Sequence, residues 1–248
     1  MTKIAIMQPT FMPWLGYFDL INSVDIFVFL DNVQLARRSW QVKNKIKTTS
    51  GELFVTLPVK KDKSRDDQFI NNTFIATDLR WREKILKNIK MNYKKANYFD
   101  DVFPYFKEWI SSDLPISEIH SKMIMKISNV LGIKDVKFIK SSSLNNISNN
   151  KETRLLDICK QFSAQVYLSP QGSSSYIEPA GLYDNFKKQG VELFYHNYKP
   201  VDYHQLHGQF IPYLGIFDLL FNYGFNHAPG VVFAGHKDSI HYTNFLRT

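Results

Sequence analysis

Two short runs restrict this chain more than any other feature: "KIAIM" at Lys3–Met7 and "DIFVFL" at Asp25–Leu30. A strand with one wet face alternates polar and apolar side chains. A run without that alternation needs cover on both faces, the condition of a strand inside a parallel sheet layered by helices. Further β-branched and aromatic runs predict strands at Phe54–Pro58, Val136–Ile139, Gln165–Leu168 and Val191–Tyr195. Helical spacing falls between them, at Leu15–Ser23, Asp78–Tyr93, Ser117–Leu131, Thr153–Phe162 and Leu182–Gln189. The clearest stripe is Ile119, Met123, Ile124, Ile127, Val130 and Leu131, which Gly132 ends. This alternation predicts one α/β domain over residues 1–248, with a mostly parallel layered sheet flanked by helices. A helical insertion is expected around residues 78–131.

Other features narrow the function classes. The single cysteine, Cys159, allows no internal disulfide and no cysteine-based metal cage, and its helical setting reads as a buried thiol. "MTKIAIMQP" has too short an apolar run for a signal peptide, and no stretch approaches the length of a membrane span, so a cytoplasmic protein is expected. The net charge of +8 admits anionic partners. It is a weak clue, because an AT-rich genome also enriches Lys and Asn. The basic residues Arg80, Arg82, Lys84, Lys87 and Lys90 read as a solvated helix surface. With no recognition motif beside them, no nucleic-acid partner is expected.

The first strand runs into "QPTFMPWLGYFDLI", where Pro9 and Pro13 stiffen the loop and Gly16 permits close backbone approach. In an open α/β sheet this is the usual ligand mouth. Gln8 offers a donor and an acceptor there, and Trp14 and Tyr17 offer stacking faces. The second strand ends in another polar and aromatic cluster holding Asp31, Gln34, Arg38, Trp40, Asn44 and Lys45. Arg38 and Lys45 are suited to a diphosphate, Trp40 to a base or sugar ring, and Asp31 to a hydroxyl or amine. The turn nearly recurs as "FIPYLGIFDLL" at Phe210–Leu220, preceded by "VDYHQLH" with Tyr203, Gln205 and His207. The second copy is expected beside the first, closing over one ligand. Asp31 and His207 are the candidate proton acceptors. His204 and His207 lie on a loop that does not impose ligand geometry, so no metal is expected.

Together "QPTFMPWLGYFDLI", "DIFVFLDNVQLARRSWQVKNKI", "YLSPQGSSSYI" and "FIPYLGIFDLLFNYG" resemble the WbqC-like protein family across essentially the whole chain. That resemblance adds Ser142, Gly172 and Tyr176 to the candidate substrate-binding residues, beside Gln8, Trp14, Gln34, Arg38, Trp40, Asn44, Tyr203 and Gln205. It also implies bacterial O-antigen or other surface-polysaccharide biosynthesis. The expected function is therefore acyl or aminoacyl transfer to a nucleotide-linked amino sugar, with an activated acyl donor whose identity no motif reveals. A non-catalytic sugar-nucleotide-binding or scaffold protein is the alternative. A nucleotidyltransferase is a third reading, weakened because the first turn lacks the paired histidines such an enzyme uses.

Overall fold

The computed structural model describes residues 1–36, 39–78, 80–177 and 181–245. Its main sheet is built from β1 (Lys3–Met7), β2 (Ile26–Phe29), β5 (Lys137–Lys140), β6 (Val166–Pro170), β7 (Glu192–Tyr198) and β8 (His236–His241). Their order is β5-β2-β1-β6-β7-β8. The first five pair in parallel, and β8 closes the β7 edge antiparallel.

The two unalternated runs sit where cover on both faces is found. Ala5, Phe27 and Phe29 point into one apolar core, while Ile4, Ile6, Ile26 and Val28 point into a second core on the opposite face. The first core holds helices α1 (Leu15–Asn22), α2 (Arg80–Tyr93), α3 (Phe99–Ile110), α4 (Ile116–Val130) and α8 (Ile216–Ala234). The second is covered by α5 (Lys151–Gln161) and α7 (Leu182–Lys188), through Leu155, Ile158 and Phe186. Two short helices, α6 (Ser174–Ile177) and α9 (Tyr242–Phe245), follow β6 and β8. The block α2–α4 falls between the strands of the sheet, as the apolar spacing predicts. Among the described residues, no helix is long and apolar enough to cross a membrane.

One predicted strand requires correction. Phe54–Pro58 does not join the main sheet. The observed strand β4 (Gly51–Thr56) pairs antiparallel with β3 (Lys43–Thr48) as a separate hairpin, in register from Lys43↔Thr56 to Thr48↔Gly51. The cause is local: Gly51 has φ +100°, in the left-handed region that glycine enters without strain, so the chain can reverse immediately. Asn44 and Ile46 then alternate with Lys43, Lys45 and Lys47 across the two faces.

Strand order decides where a ligand can enter. From β1 the chain crosses to β2 on one side, and later returns to β6 on the other. Loops leaving β1 and β6 therefore diverge and open a crevice at the carboxyl ends of these strands, the topological switch point of the sheet.

Candidate functional site

A cavity of about 470 Å³ occupies that crevice. Strand β1 and its loop supply Met7, Thr10, Pro13 and Trp14, and α1 supplies Gly16, Tyr17 and Leu20; Trp40 comes from the segment before the hairpin and Asn44 from β3 itself. Pro170 ends β6 and Gln171 and Gly172 follow it, while His196 and Tyr198 lie at the end of β7 and Tyr213 arrives from the second turn. Most of the lining is apolar or aromatic, as in sites that fix a small molecule with a few well-placed polar groups.

Both glycines of the repeated turn meet steric demands. A Cβ on Gly16 would lie 2.3 Å from the Trp14 indole, which folds over the start of α1. A Cβ on Gly215 would lie 2.8 Å from the Met12 carbonyl oxygen, because Trp14 and Gly215 form an antiparallel bridge. The Ile216 N–H donates to the Pro13 carbonyl at 2.8 Å. The two turns thus stand side by side, with Trp14 and Tyr213 rings 5.4 Å apart as one aromatic wall. Trp14 also meets Tyr198 edge-on at 5.4 Å. Helix α1 has no side-chain cap and no acid in its first turn, so the positive end of its dipole stays uncompensated beside Gly16.

The repeated aspartate carries the main electrostatic feature. Asp19 sits in α1 among buried apolar residues and is itself 1 % exposed. An ionised carboxylate cannot stay there without donors. His196 Nε2 lies 2.7 Å from Asp19 Oδ2, and His236 Nδ1 lies 3.0 Å from the same oxygen. As the carboxylate only accepts, each imidazole N–H donates. His196 is 6 % exposed and lines the cavity, and its Nδ1 is not among the buried atoms without a partner. The Asp19 bond therefore fixes the ring through Nε2 and leaves Nδ1 to the cavity. Tyr198 stacks on the His196 ring at 6.2 Å, its hydroxyl donating to the Val232 carbonyl. Burial, with the nearby Asp19 carboxylate, pushes the Tyr198 phenol up.

The second aspartate has different partners. Asp218 receives the Tyr93 and Tyr203 hydroxyls, each at 2.7 Å. Lys47 donates to the Gly208 and Gln209 carbonyls, and burial lowers its pKa against the opposing pull of Asp218. Burial raises the Asp218 pKa despite both phenols and the Lys47 charge. The same residue type in the same turn thus builds a polar knot that anchors the 203–209 loop.

The structure divides the sequence-predicted residues into three groups. Trp14, Tyr17, Trp40, Asn44 and Gly172 meet at the cavity. Asn44 shapes it through the backbone, donating to the Phe11 and Met12 carbonyls at 3.0 and 2.5 Å. Gln8 stands behind the wall: its carbonyl takes the Tyr17 hydroxyl and its side-chain oxygen the Gln41 amide. The second group lies in other contacts. Asp31 ties the ends of β2 and β5 together, accepting the Ser142 N–H at 2.8 Å and hydroxyl at 2.7 Å, and the Ser141 hydroxyl. Gln34 binds the Arg65 carbonyl and Asp66, and Lys45 pairs with Glu52. Tyr203 is committed to Asp218. Gln205 brackets Ile211, donating to its carbonyl at 3.0 Å and accepting its N–H at 2.9 Å. His207 is held by the Asn92 carbonyl at 2.7 Å. None of this second group, Asp31 and His207 included, lines the cavity. The third group is Arg38 and the Tyr176 side chain, which lie outside the described residues.

Sequence reasoning passed over Asp19, His196 and Tyr213. His196 lies inside the strand run "ELFYHNY", where it reads as core. The usable signal was Asp19, an acid in the middle of "GYFDLI", which needs a buried donor from elsewhere in the chain. Among the described residues, no cluster of three His, Cys, Asp or Glu could hold a metal ion.

Fold and cleft together define an open α/β protein with an aromatic-lined cavity at the switch point of its sheet. The chain belongs to the WbqC-like protein family, whose profile matches residues 8–229. It is also 33% identical over 229 residues to the uncharacterized protein Rv1507c of Mycobacterium tuberculosis (strain ATCC 25618 / H37Rv), a match covering 90% of this chain and 95% of the relative. No solved structure matches it.

Proposed function

We propose that this chain is a transferase that places an acyl or aminoacyl group on the amine of a nucleotide-linked amino sugar, in bacterial surface-polysaccharide biosynthesis. The observation that supports catalysis is the Asp19–His196 pair beside an aromatic-walled cavity. Amide formation needs a neutral amine nucleophile. His196 Nδ1 takes the amine proton as nitrogen bonds to the acyl carbon, and the donor's leaving group departs with the electron pair. Asp19 holds the ring in the tautomer that presents a bare Nδ1 and stabilises the imidazolium formed. Trp14, Trp40 and Tyr213 offer faces for the apolar side of a pyranose or for a base.

The described lining contains no Lys or Arg, so it suits the sugar and acyl portions better than a diphosphate. The choice of amino sugar and acyl group comes from the biosynthetic setting that the family resemblance implies, not from the cavity. Incubation with nucleotide-linked amino sugars and activated acyl donors, read by mass spectrometry, tests the proposal. One acylated product is expected, with His196→Gln slowing its formation by about 10²–10⁴-fold, the usual scale of a general base. Saturable binding of a sugar nucleotide with no product from any donor would favour a binding protein. Full activity of His196→Gln would remove the base from the mechanism.

A further inference from the structure

We propose that His236 is the outlet through which a proton taken up in the cavity reaches solvent, with Asp19 as the bridge between the two imidazoles. This inference rests on the reading of His196 as the base. Its physical ground is the arrangement of three side chains from three separate elements. His196 is 6 % exposed, Asp19 1 % and the His236 side chain 48 %, so the chain of groups runs from cavity through core to surface. A single carboxylate oxygen, Asp19 Oδ2, stands 2.7 Å from His196 Nε2 and 3.0 Å from His236 Nδ1. Both are hydrogen-bond distances, so a proton can pass along the chain without movement of the backbone.

The positions follow from the sheet. His236 opens β8 opposite Tyr198 on β7, two residues beyond His196, which places both imidazoles above the same turn of α1. A dyad that served only to orient His196 would be complete with Asp19 alone. The second imidazole brings a half-exposed titratable ring to a carboxylate otherwise sealed from water.

His196 gains a proton at Nδ1 from the substrate amine and gives its Nε2 proton to Asp19 Oδ2. Asp19 passes that proton to Nδ1 of His236, which stands at that moment in its Nε2–H tautomer. The His236 imidazolium loses its Nε2 proton to water. One proton has moved from cavity to solvent, Asp19 is again a carboxylate, and both rings are neutral. When product leaves, His196 gives its Nδ1 proton to water entering the cavity and regains a proton at Nε2 from His236 Nδ1 through Asp19, while His236 takes one from water at Nε2. Exchange with water at the half-exposed ring then returns His236 to the tautomer that donates to Asp19. An occupied cavity blocks direct access of water to His196 Nδ1, so a route behind the ring matters while product is bound.

Two measurements test this, and only one needs turnover. In the transfer assay, His236→Gln should slow the maximal rate several-fold in dilute buffer with KM unchanged, and concentrated imidazole buffer should restore it. A purely structural role would not respond to buffer. A loss without rescue, or a wild-type rate in His236→Gln where His196→Gln is impaired, would overturn the outlet and leave the base intact. A wild-type rate in His196→Gln would instead overturn the base reading itself. Independently of any substrate, NMR can follow exchange with water of the His196 proton held by Asp19. That exchange should be several-fold slower in His236→Gln than in wild type, and an unchanged rate would overturn the proposal.

Discussion

His120 offers the sharpest test of how the core beneath the site is held. Its ring is fully buried between Phe11 and Trp109, with centroids 5.9 and 5.6 Å away. Nε2 lies 2.9 Å from the Gln41 carbonyl, next to Trp40 in the cavity wall, and Nδ1 has no partner among the described residues. Burial lowers its pKa from 6.5 to about 4, against a smaller opposing effect of the Gln41 bond. Above pH 6.5 the ring is neutral in both folded and unfolded chains, and its contribution to stability is fully present. Between 6.5 and about 4 the unfolded chain binds a proton that the fold refuses, so stability falls as pH falls. At about 1.4 kcal/mol per pKa unit, the loss approaches about 3 kcal/mol near the lower limit. Many carboxylates titrate in the same range, so the measurement is a difference. His120→Phe keeps a ring between Phe11 and Trp109 and removes the titration. Urea unfolding of both proteins at pH 7, 6, 5 and 4.5 gives two stability curves. Wild type should lose about 2–3 kcal/mol more than the variant on going to the lowest pH. Parallel curves would show that His120 is hydrated or already protonated in the fold, and the argument from its burial would fail.

Gly16→Ala places a methyl group 2.3 Å from the Trp14 ring. It should cost about 1–3 kcal/mol and displace the indole from the cavity wall, seen as a lower melting temperature and altered tryptophan fluorescence; a wild-type melt and spectrum would refute the close approach. Tyr203→Phe removes one of the two phenols on buried Asp218 and should cost about 1.5–3 kcal/mol in urea unfolding. Tyr93→Phe should have a similar effect, and the double variant should depart from additivity because both phenols serve one carboxylate. Strict additivity would show that the phenols act independently.

Much of the fold is a consequence of periodicity that can be read directly. "KIAIM" and "DIFVFL" have no polar face, so they had to lie inside a sheet covered on both sides, and they pair as β1 and β2. The stripe from Ile119 to Leu131 is helical because its spacing allows one buried face, and α4 spans Ile116–Val130. Helix α1 starts at Leu15, directly after the proline-rich turn, as its sequence predicts. These are local properties, determined within a few residues of each position. The hairpin of β3 and β4 was harder to read because its alternation is carried by lysines, and lysine normally signals a solvated loop.

The site is a different matter. A carboxylate in α1, an imidazole in β7 and another at the start of β8 are 177 and 217 residues apart in the pairs that Asp19 forms. No periodicity links them, and their meeting depends on β7 and β8 being stacked beyond β6 on the far side of β1. Asp31 and His207 carry the right chemistry for a base, but neighbouring backbone and hydroxyl groups already claim them. Asp19 and Asp218 show the same division. From sequence they are one residue repeated in one turn, each an acid in an apolar helix that must find donors. Only the packing of distant strands and helices decided that one receives two imidazoles beside the cavity while the other receives two phenols in the core. Burial demands a partner for each acid, but tertiary contacts choose which partner arrives.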